Sequence, residues 1–263
     1  MHALIFLICV SNSILCQEPD EDARLRALWQ QAQVLIVQEN HRQTEKGLSE
    51  VIKRKADYRT ALYWRGRVRF QLGEIMGSIS DFNRYVEFHP EARSRQWERG
   101  ISLYYGGQFK EGAKQFEIYQ TYHDNDVENS AWRFLCVART EGVAAARKNL
   151  LPIRNDRRIP MMQIYRMYQG KLTPEEVLKA AEELPETEGE KNSARFYAHL
   201  YVGLLYEVQG KKKESLQQIK DAENHRIPHY MWDVARVHRQ LRSGTAGSSS
   251  KKDPSKNGGR IQK

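Results

Sequence analysis

WRGRVRFQLGEIMGSISDFNRYVEFHP, residues 64–90, and ERGISLYYGGQFKEGAKQFEIYQTYHD, residues 98–124, decide the fold. Laid over one another at an offset of 34, they pair Gly66 with Gly100, Gly73 with Gly107, Phe82 with Phe116 and Tyr85 with Tyr119. Trp64 and Trp132 lie 68 apart, two such periods. Self-similarity at a fixed period of this size marks a stack of like helical units, none of which buries its apolar face alone.

The tetratricopeptide pattern gives each position a physical task. Gly66 and Gly100 fall where the first helix of a unit, helix A, approaches its partner, helix B, and a side chain would clash. Gly73 and Gly107 end helix A, where the backbone turns left-handed. Phe82 and Phe116 are the large apolar residues of helix B, and Ser78 and Gly112 the small ones that let the two helices close. Pro90 stops helix B at the unit boundary.

Working outward, residues 22–39 and 43–55 read as a degenerate first hairpin, with Leu28, Trp29, Ala32 and Leu35 on one face. Residues 130–140 and 143–151 form another, joined at Gly142. A short helix over 160–169 ends at Gly170. Thr173-Pro174-Glu175-Glu176 then opens the next helix with a capping box and proline at its first position. A clear repeat returns over 194–222, where Gly203 and Gly210 are seven apart, as Gly66 and Gly73 are. The acidic, glycine-containing stretch 185–192 reads as a loop, and residues 229–242 as a helix that lids the stack. The expectation is an all-α solenoid of about five hairpins over 22–242, with a capping helix.

The two ends differ in kind. Leu4 to Val10 is continuously apolar and too short to span a bilayer, which takes about 20 residues. Followed by the polar, acidic run Gln17 to Asp22, it fits a signal peptide over 1–16 and predicts export to the cell envelope. No Lys or Arg precedes it, only His2. Cys16 admits two readings: a lipidated first residue, as in lipoproteins, or a chain simply cut nearby; Leu15 is larger than the residue lipidation normally follows. At the other end, 243–263 holds five basic residues against Asp253 and almost nothing apolar, so a disordered tail is expected. That tail carries much of the net charge of +9. The rest is interspersed with acidic residues, which argues against a nucleic-acid stripe. Of three cysteines only Cys136 belongs to the body, in an apolar helical run that predicts a buried thiol.

Motifs for chemistry fail on spacing. Gly203 to Lys211 has six residues between its glycines where a phosphate loop needs four, and no Ser or Thr follows Lys211. His225 and His229 have helical spacing but Pro228 intervenes, and neither they nor His238 sit in a tetrahedral ligand set. No nucleophile–base pair stands out. The sequence therefore predicts no enzyme, cofactor or metal. A cryptic hydrolase is the weakest alternative.

Protein binding is the function left. In repeat register the inner face of helix A carries Trp29 in the first unit, Tyr63, Arg67 and Phe70 in the second, and Trp97, Ile101, Tyr104 and Tyr105 in the third. Aromatic and arginine side chains are common interface anchors. These residues are expected to line a groove that accepts an extended peptide or a helix.

Residues 99–107 (RGISLYYGG), with 119–126, Ser130 to Arg133, Ile164 to Gly170 and Phe196-Tyr197, resemble the bacterial lipoprotein NlpI family from about Ala56 to Leu241. The resemblance implies an outer-membrane-anchored tetratricopeptide adaptor that dimerises, gathers murein hydrolases and presents clients to a tail-specific protease. The imperfect lipid-attachment site and the basic tail depart from that pattern. A generic peptide-binding repeat protein with unrelated clients is the alternative.

Overall fold

A computed structural model describes residues 21–244 and turns the 34-residue period into stacked antiparallel helical pairs. The pairs are α1 (Glu21–Val37) with α2 (His41–Arg54), α3 (Arg59–Gln71) with α4 (Ile75–Phe88), and α5 (Trp97–Tyr105) with α6 (Phe109–Gln120). They continue as α7 (Val127–Glu141) with α8 (Val143–Lys148), α9 (Met161–Tyr168) with α10 (Pro174–Glu183), and α11 (Glu188–Val208) with α12 (Lys212–Glu223). A last helix, α13, spans Tyr230–Arg242. Among the described residues there is no strand, and the six pairs are one more than the period suggests. The leader with Cys16, and the tail beyond residue 244, lie outside the described residues.

The glycine assignments hold for the reasons given. A Cβ on Gly66 would lie 3.1 Å from the Phe82 ring, and one on Gly100 only 2.5 Å from Phe116. Ser78 Oγ donates to the Gly66 carbonyl at 2.7 Å, closing α3 on α4. Gly73 and Gly107 adopt φ of 78° and 74°, a left-handed geometry that other residues adopt only with strain. Pro90 ends α4 and begins a short 3-10 turn, Pro90–Arg95. Cys136 is fully buried, and burial pushes its thiol up.

One boundary is corrected. Only the first part of the stretch 185–192 is a loop: α11 starts at Glu188, inside it. Thr187 accepts from the Glu190 amide at 3.2 Å, and the Glu190 carboxylate accepts from the Thr187 amide at 3.2 Å. This is the same reciprocal cap that starts α10 at Thr173.

A second register runs through the stack. Arg65, Arg99 and Arg133 are also 34 apart, and each reaches residues 16 before and 16 after it. Arg65 holds Asp81 through Nε and Nη2 at 2.8 and 2.6 Å and Ser49 at 3.0 Å. Arg99 holds Asn83 and Gln115, both at 2.8 Å. Arg133 holds Glu117 at 2.8 Å and the Asn149 carbonyl. Each arginine thus ties helix A to its own helix B and to the helix B before it. The Arg65–Asp81 pair is almost wholly buried and bidentate, so removing one partner alone would leave a charge uncompensated.

The solenoid curls until its end meets its beginning. α13 packs on α12 and crosses onto α3. Gln71 Nε2 donates to Asp233 at 2.7 Å, and Arg236 donates to the Gln71 carbonyl at 2.7 Å, some 165 residues away in sequence. The apolar core divides in two: a small cluster under α1 to α4, and a large one running from Phe70 through α5, α7, α9 and α11 to α13.

Candidate protein-binding surface

The inner face of the helix A array is occupied by the chain itself. Phe70, Ile101 and Tyr104 have no exposed surface, and Tyr105 has 8%. Phe70 packs edge-on against Tyr105 at 5.5 Å and, with ring planes tilted by 37°, against Tyr230 of α13 at 5.5 Å. The Tyr104 hydroxyl donates to Glu207 of α11, which also takes Arg242 of α13. The Tyr105 hydroxyl meets His238 Nδ1 at 3.0 Å. These four residues therefore cannot line an open groove. Two apolar faces, one on α5 and one on α13, exclude water more fully against each other than either could alone.

This buried network has its own electrostatics. Burial lowers His238 to about 4, with Arg242 and Arg139 acting the same way and Glu207 opposing. Burial pushes the Glu207 carboxyl up, but His238, Arg242 and the Tyr104 hydroxyl more than offset this and leave it below its ordinary range.

The other expected anchors sit at the margin of the closure. Tyr63 is half-buried; its hydroxyl donates to Glu98 at 2.6 Å and accepts from Arg67 at 2.8 Å. Arg67 also binds Glu98 at 2.8 Å and lies 4.4 Å above the Tyr230 ring. Burial drives the Glu98 carboxyl upward, against the pull of Arg67 and Tyr63. Trp97 stacks on His229, with ring planes 11° apart and centroids 6.2 Å apart. Trp29 stands apart from this group, half-buried against Tyr58 at 5.7 Å in the first hairpin.

Two recesses share His229 in their walls. The first is a cleft of about 690 Å³ between the α1–α2 turn, α3 and the start of α13. Trp64, Arg67, Tyr230, Trp232 and Arg236 line it. Across its mouth Arg226 pairs with Glu39 at 2.9 Å, two well-exposed side chains 187 residues apart. The second is a cavity of about 430 Å³ among α6, α7, the 149–160 segment and His229. Here Arg158 binds Asp126 at 2.7 Å, Glu128 at 2.6 Å and Asp156 at 2.6 Å. The Tyr201 hydroxyl donates to the other Glu128 oxygen at 2.7 Å. None of Asp126, Asp156 and Arg158 lies within a repeat helix, so the period gives no sign of this site. The only sequence signal is the density of charge on both sides of Arg158. Among the described residues no group of three His, Cys, Asp or Glu could hold a metal ion.

The arrangement is that of tetratricopeptide repeat proteins. A tetratricopeptide repeat protein from Parabacteroides merdae superposes with a TM-score of 0.54 at 14% identity, over 86% of this chain and 87% of that one. The MamA RS-1 ArsTM double mutant gives 0.47 at 11% identity, over 76% of this chain and 93% of that one. No protein-family model matches the chain, and no curated protein does. At such identities the likeness speaks for the fold alone.

Proposed function

We propose that the chain is a non-catalytic scaffold that docks partner proteins on the two recesses beside His229. The observation that carries this reading is the closed centre of the concave face. With Phe70, Ile101, Tyr104 and Tyr105 buried, the cleft and the cavity are the recesses that flank this closure. Both combine aromatic walls with charged rims, the side-chain mix of interface anchors. A photo-crosslinking residue at Glu39 or at Arg157, exposed rim positions of the two recesses, should capture a defined partner. The same residue at Lys213, exposed on α12, should not. Equal capture from all three positions would contradict the proposal.

The same proposal puts the scaffold outside the cytoplasm. The apolar run Leu4 to Val10 with the polar start after it supports export, and the resemblance to the NlpI family supports an envelope adaptor with murein hydrolases or a protease among its partners. Among the described residues no helix is long and apolar enough to cross a membrane, and Cys16 is the candidate site of lipid attachment. Intact-mass measurement on the chain from its native host should find a terminus at or near Cys16 or Gln17, with a diacylglycerol mass if that cysteine is the anchor. An intact Met1 would overturn the export reading.

A further inference from the structure

In the last four pairs the partners run antiparallel and successive first helices run alike, so the turns inside these pairs lie at one end of the stack. Positive charge collects at that end. Lys110 follows the α5–α6 turn, Arg139 precedes the α7–α8 turn, and Arg166 and Lys171 flank the end of α9. Lys211, Lys212 and Lys213 open α12, and the Arg147 side chain lies 3.2 Å from where a Cβ on Gly170 would sit. Contacts between distant segments show that these turns meet. Arg147, Thr173, Tyr206 and Lys211 line one recess, the Arg139 guanidinium lies 5.2 Å above the Phe109 ring, and Arg242 reaches Glu207 at the end of α11.

All eight of these cations are exposed, and among the described residues none of them forms an ion pair. Five glutamates share the end: Glu111, Glu141, Glu175, Glu176 and Glu214. Of these, Glu176 is engaged in capping α10. At the opposite end of the helices four arginines are neutralised: Arg54 by Glu21, Arg59 by Glu91, Arg154 by Asp124 and Arg158 by Asp126. The fold thus sorts charge that is mixed along the sequence. The chain also leaves the stack at the basic end. Helix α13 finishes at Arg242, beside Tyr105 and Glu207. Beyond residue 244 come Lys251, Lys252, Lys256, Arg260 and Lys263 against Asp253 alone. Phe109 and Tyr206, aromatic rings at this end, lie under Arg139 and Lys211 rather than open to a nucleic-acid base. A lipid surface can rearrange its anionic headgroups around interspersed glutamates, whereas a nucleic-acid backbone presents phosphates at fixed spacing.

We propose that this end of the stack docks on a membrane surface rich in anionic lipid headgroups, with the basic tail adding to the attraction. Clusters of about 4–8 basic residues beside a membrane bind anionic lipid in this way. The inference goes beyond the scaffold reading and does not depend on it. Arg158 and its cavity lie at the start of α7, the far end from Arg139, so contact with the membrane leaves that recess free for a partner.

The test is co-sedimentation of the full chain with phosphatidylcholine vesicles, with and without phosphatidylglycerol. The apolar leader is uncharged and present in every variant, so the readout is the preference for the anionic vesicles. The parent should bind these about tenfold more tightly than the neutral ones, and the preference should shrink as salt is raised. Lys212→Glu with Lys213→Glu should lower anionic-vesicle affinity by about tenfold. Both positions lie in the first turn of α12, where glutamate suits the helix dipole, so the variant keeps its fold. Lys53→Glu with Lys55→Glu makes the same change of charge at the far end, around the end of α2, and should leave the preference nearly intact. A thermal melt checks that both variants fold. Equal binding of the two vesicle types, equal losses in the two double variants, or parental affinity in folded Lys212→Glu/Lys213→Glu would each overturn the membrane face. Tighter binding to duplex or single-stranded DNA than to anionic vesicles at the same salt would overturn it in favour of a nucleic-acid face. Partner capture at the recesses together with failure here would remove the membrane face and leave the scaffold.

Discussion

The paired units α3–α4 and α5–α6 and the closing helix α13 are stabilised in different ways. In the paired units every key contact recurs at the same offset: Gly66 under Phe82, Gly100 under Phe116, Arg65 and Arg99 each reaching 16 residues either way. Around the closure by α11 and α13 nothing recurs. Tyr104 meets a residue 103 positions away, Tyr105 one 133 away, and Gln71 one 162 away. A period describes how neighbours pack, and it carries no information about which distant segment comes to lie on the face the neighbours leave open. The repeats therefore set the curvature, while the closure sets which part of the concave face a partner can reach.

The sharpest way to break that contrast is to truncate one buried aromatic on each side of it. Phe116→Ala empties a repeat core, and Tyr104→Ala empties the closure and strands Glu207. Both residues are at most 1% exposed, and each variant should lose about 3–5 kcal/mol in denaturant unfolding, the usual cost for a buried aromatic. A Tyr104→Ala protein as stable as the parent would show that packing against Glu207 of α11 adds nothing to the fold.

A smaller effect belongs to the closure alone. His238 is neutral in the fold because burial lowers it to about 4, whereas an unfolded histidine titrates near 6.5. Stability from this site is therefore intact above about pH 6.5 and falls as pH drops toward 4, because the unfolded chain takes up the proton first. Between pH 7 and pH 4.5 the loss should reach about 2–3 kcal/mol. Burial also lowers His41, His225 and His229, so the comparison is with His238→Phe under the same conditions. That variant should show a flatter pH profile by this amount. An unchanged slope would mean that His238 is solvated.

How far the sequence reveals each side follows from the same contrast. The helix ends of the paired units are legible because Gly73, Gly107 and Pro90 act locally, and the tight helix crossings because Gly66 and Gly100 stand opposite phenylalanines. The arginine ladder has the same spacing and is equally readable, but charged residues invite the reading of a solvated face, which hides their pairing. Thr187 and Glu190 form the same cap as Thr173 and Glu176; the acidic, glycine-containing composition around them suggests a loop, although acidic residues favour the first turn of a helix. The groove assignment to Phe70, Ile101, Tyr104 and Tyr105 misses that the chain itself covers them, since neither Glu207 nor His238 has any local mark of its target. The cavity of Asp126, Glu128, Asp156 and Arg158 is assembled largely from connecting segments, beyond the reach of the period.

The smallest expected effect lies on the repeat side. Gly107 has a φ of 74° and open space where a Cβ would go. Gly107→Ala should therefore cost only about 1–2 kcal/mol of backbone strain, read as a modest fall in the unfolding midpoint. Gly100→Ala, with Phe116 2.5 Å from the added carbon, should cost more. The reverse order would place the turn and the helix crossing wrongly.

Native-state hydrogen exchange on α13 tests the closure most directly. If the last helix is an integral wall of the concave face, its central amides, around Val234 and Val237, should exchange only through global unfolding. Their opening free energy and denaturant slope should then match those of α5 and α7. Exchange of α13 through a lower-energy opening, with α3 to α7 still protected, would contradict the account and return the inner face to an incoming partner.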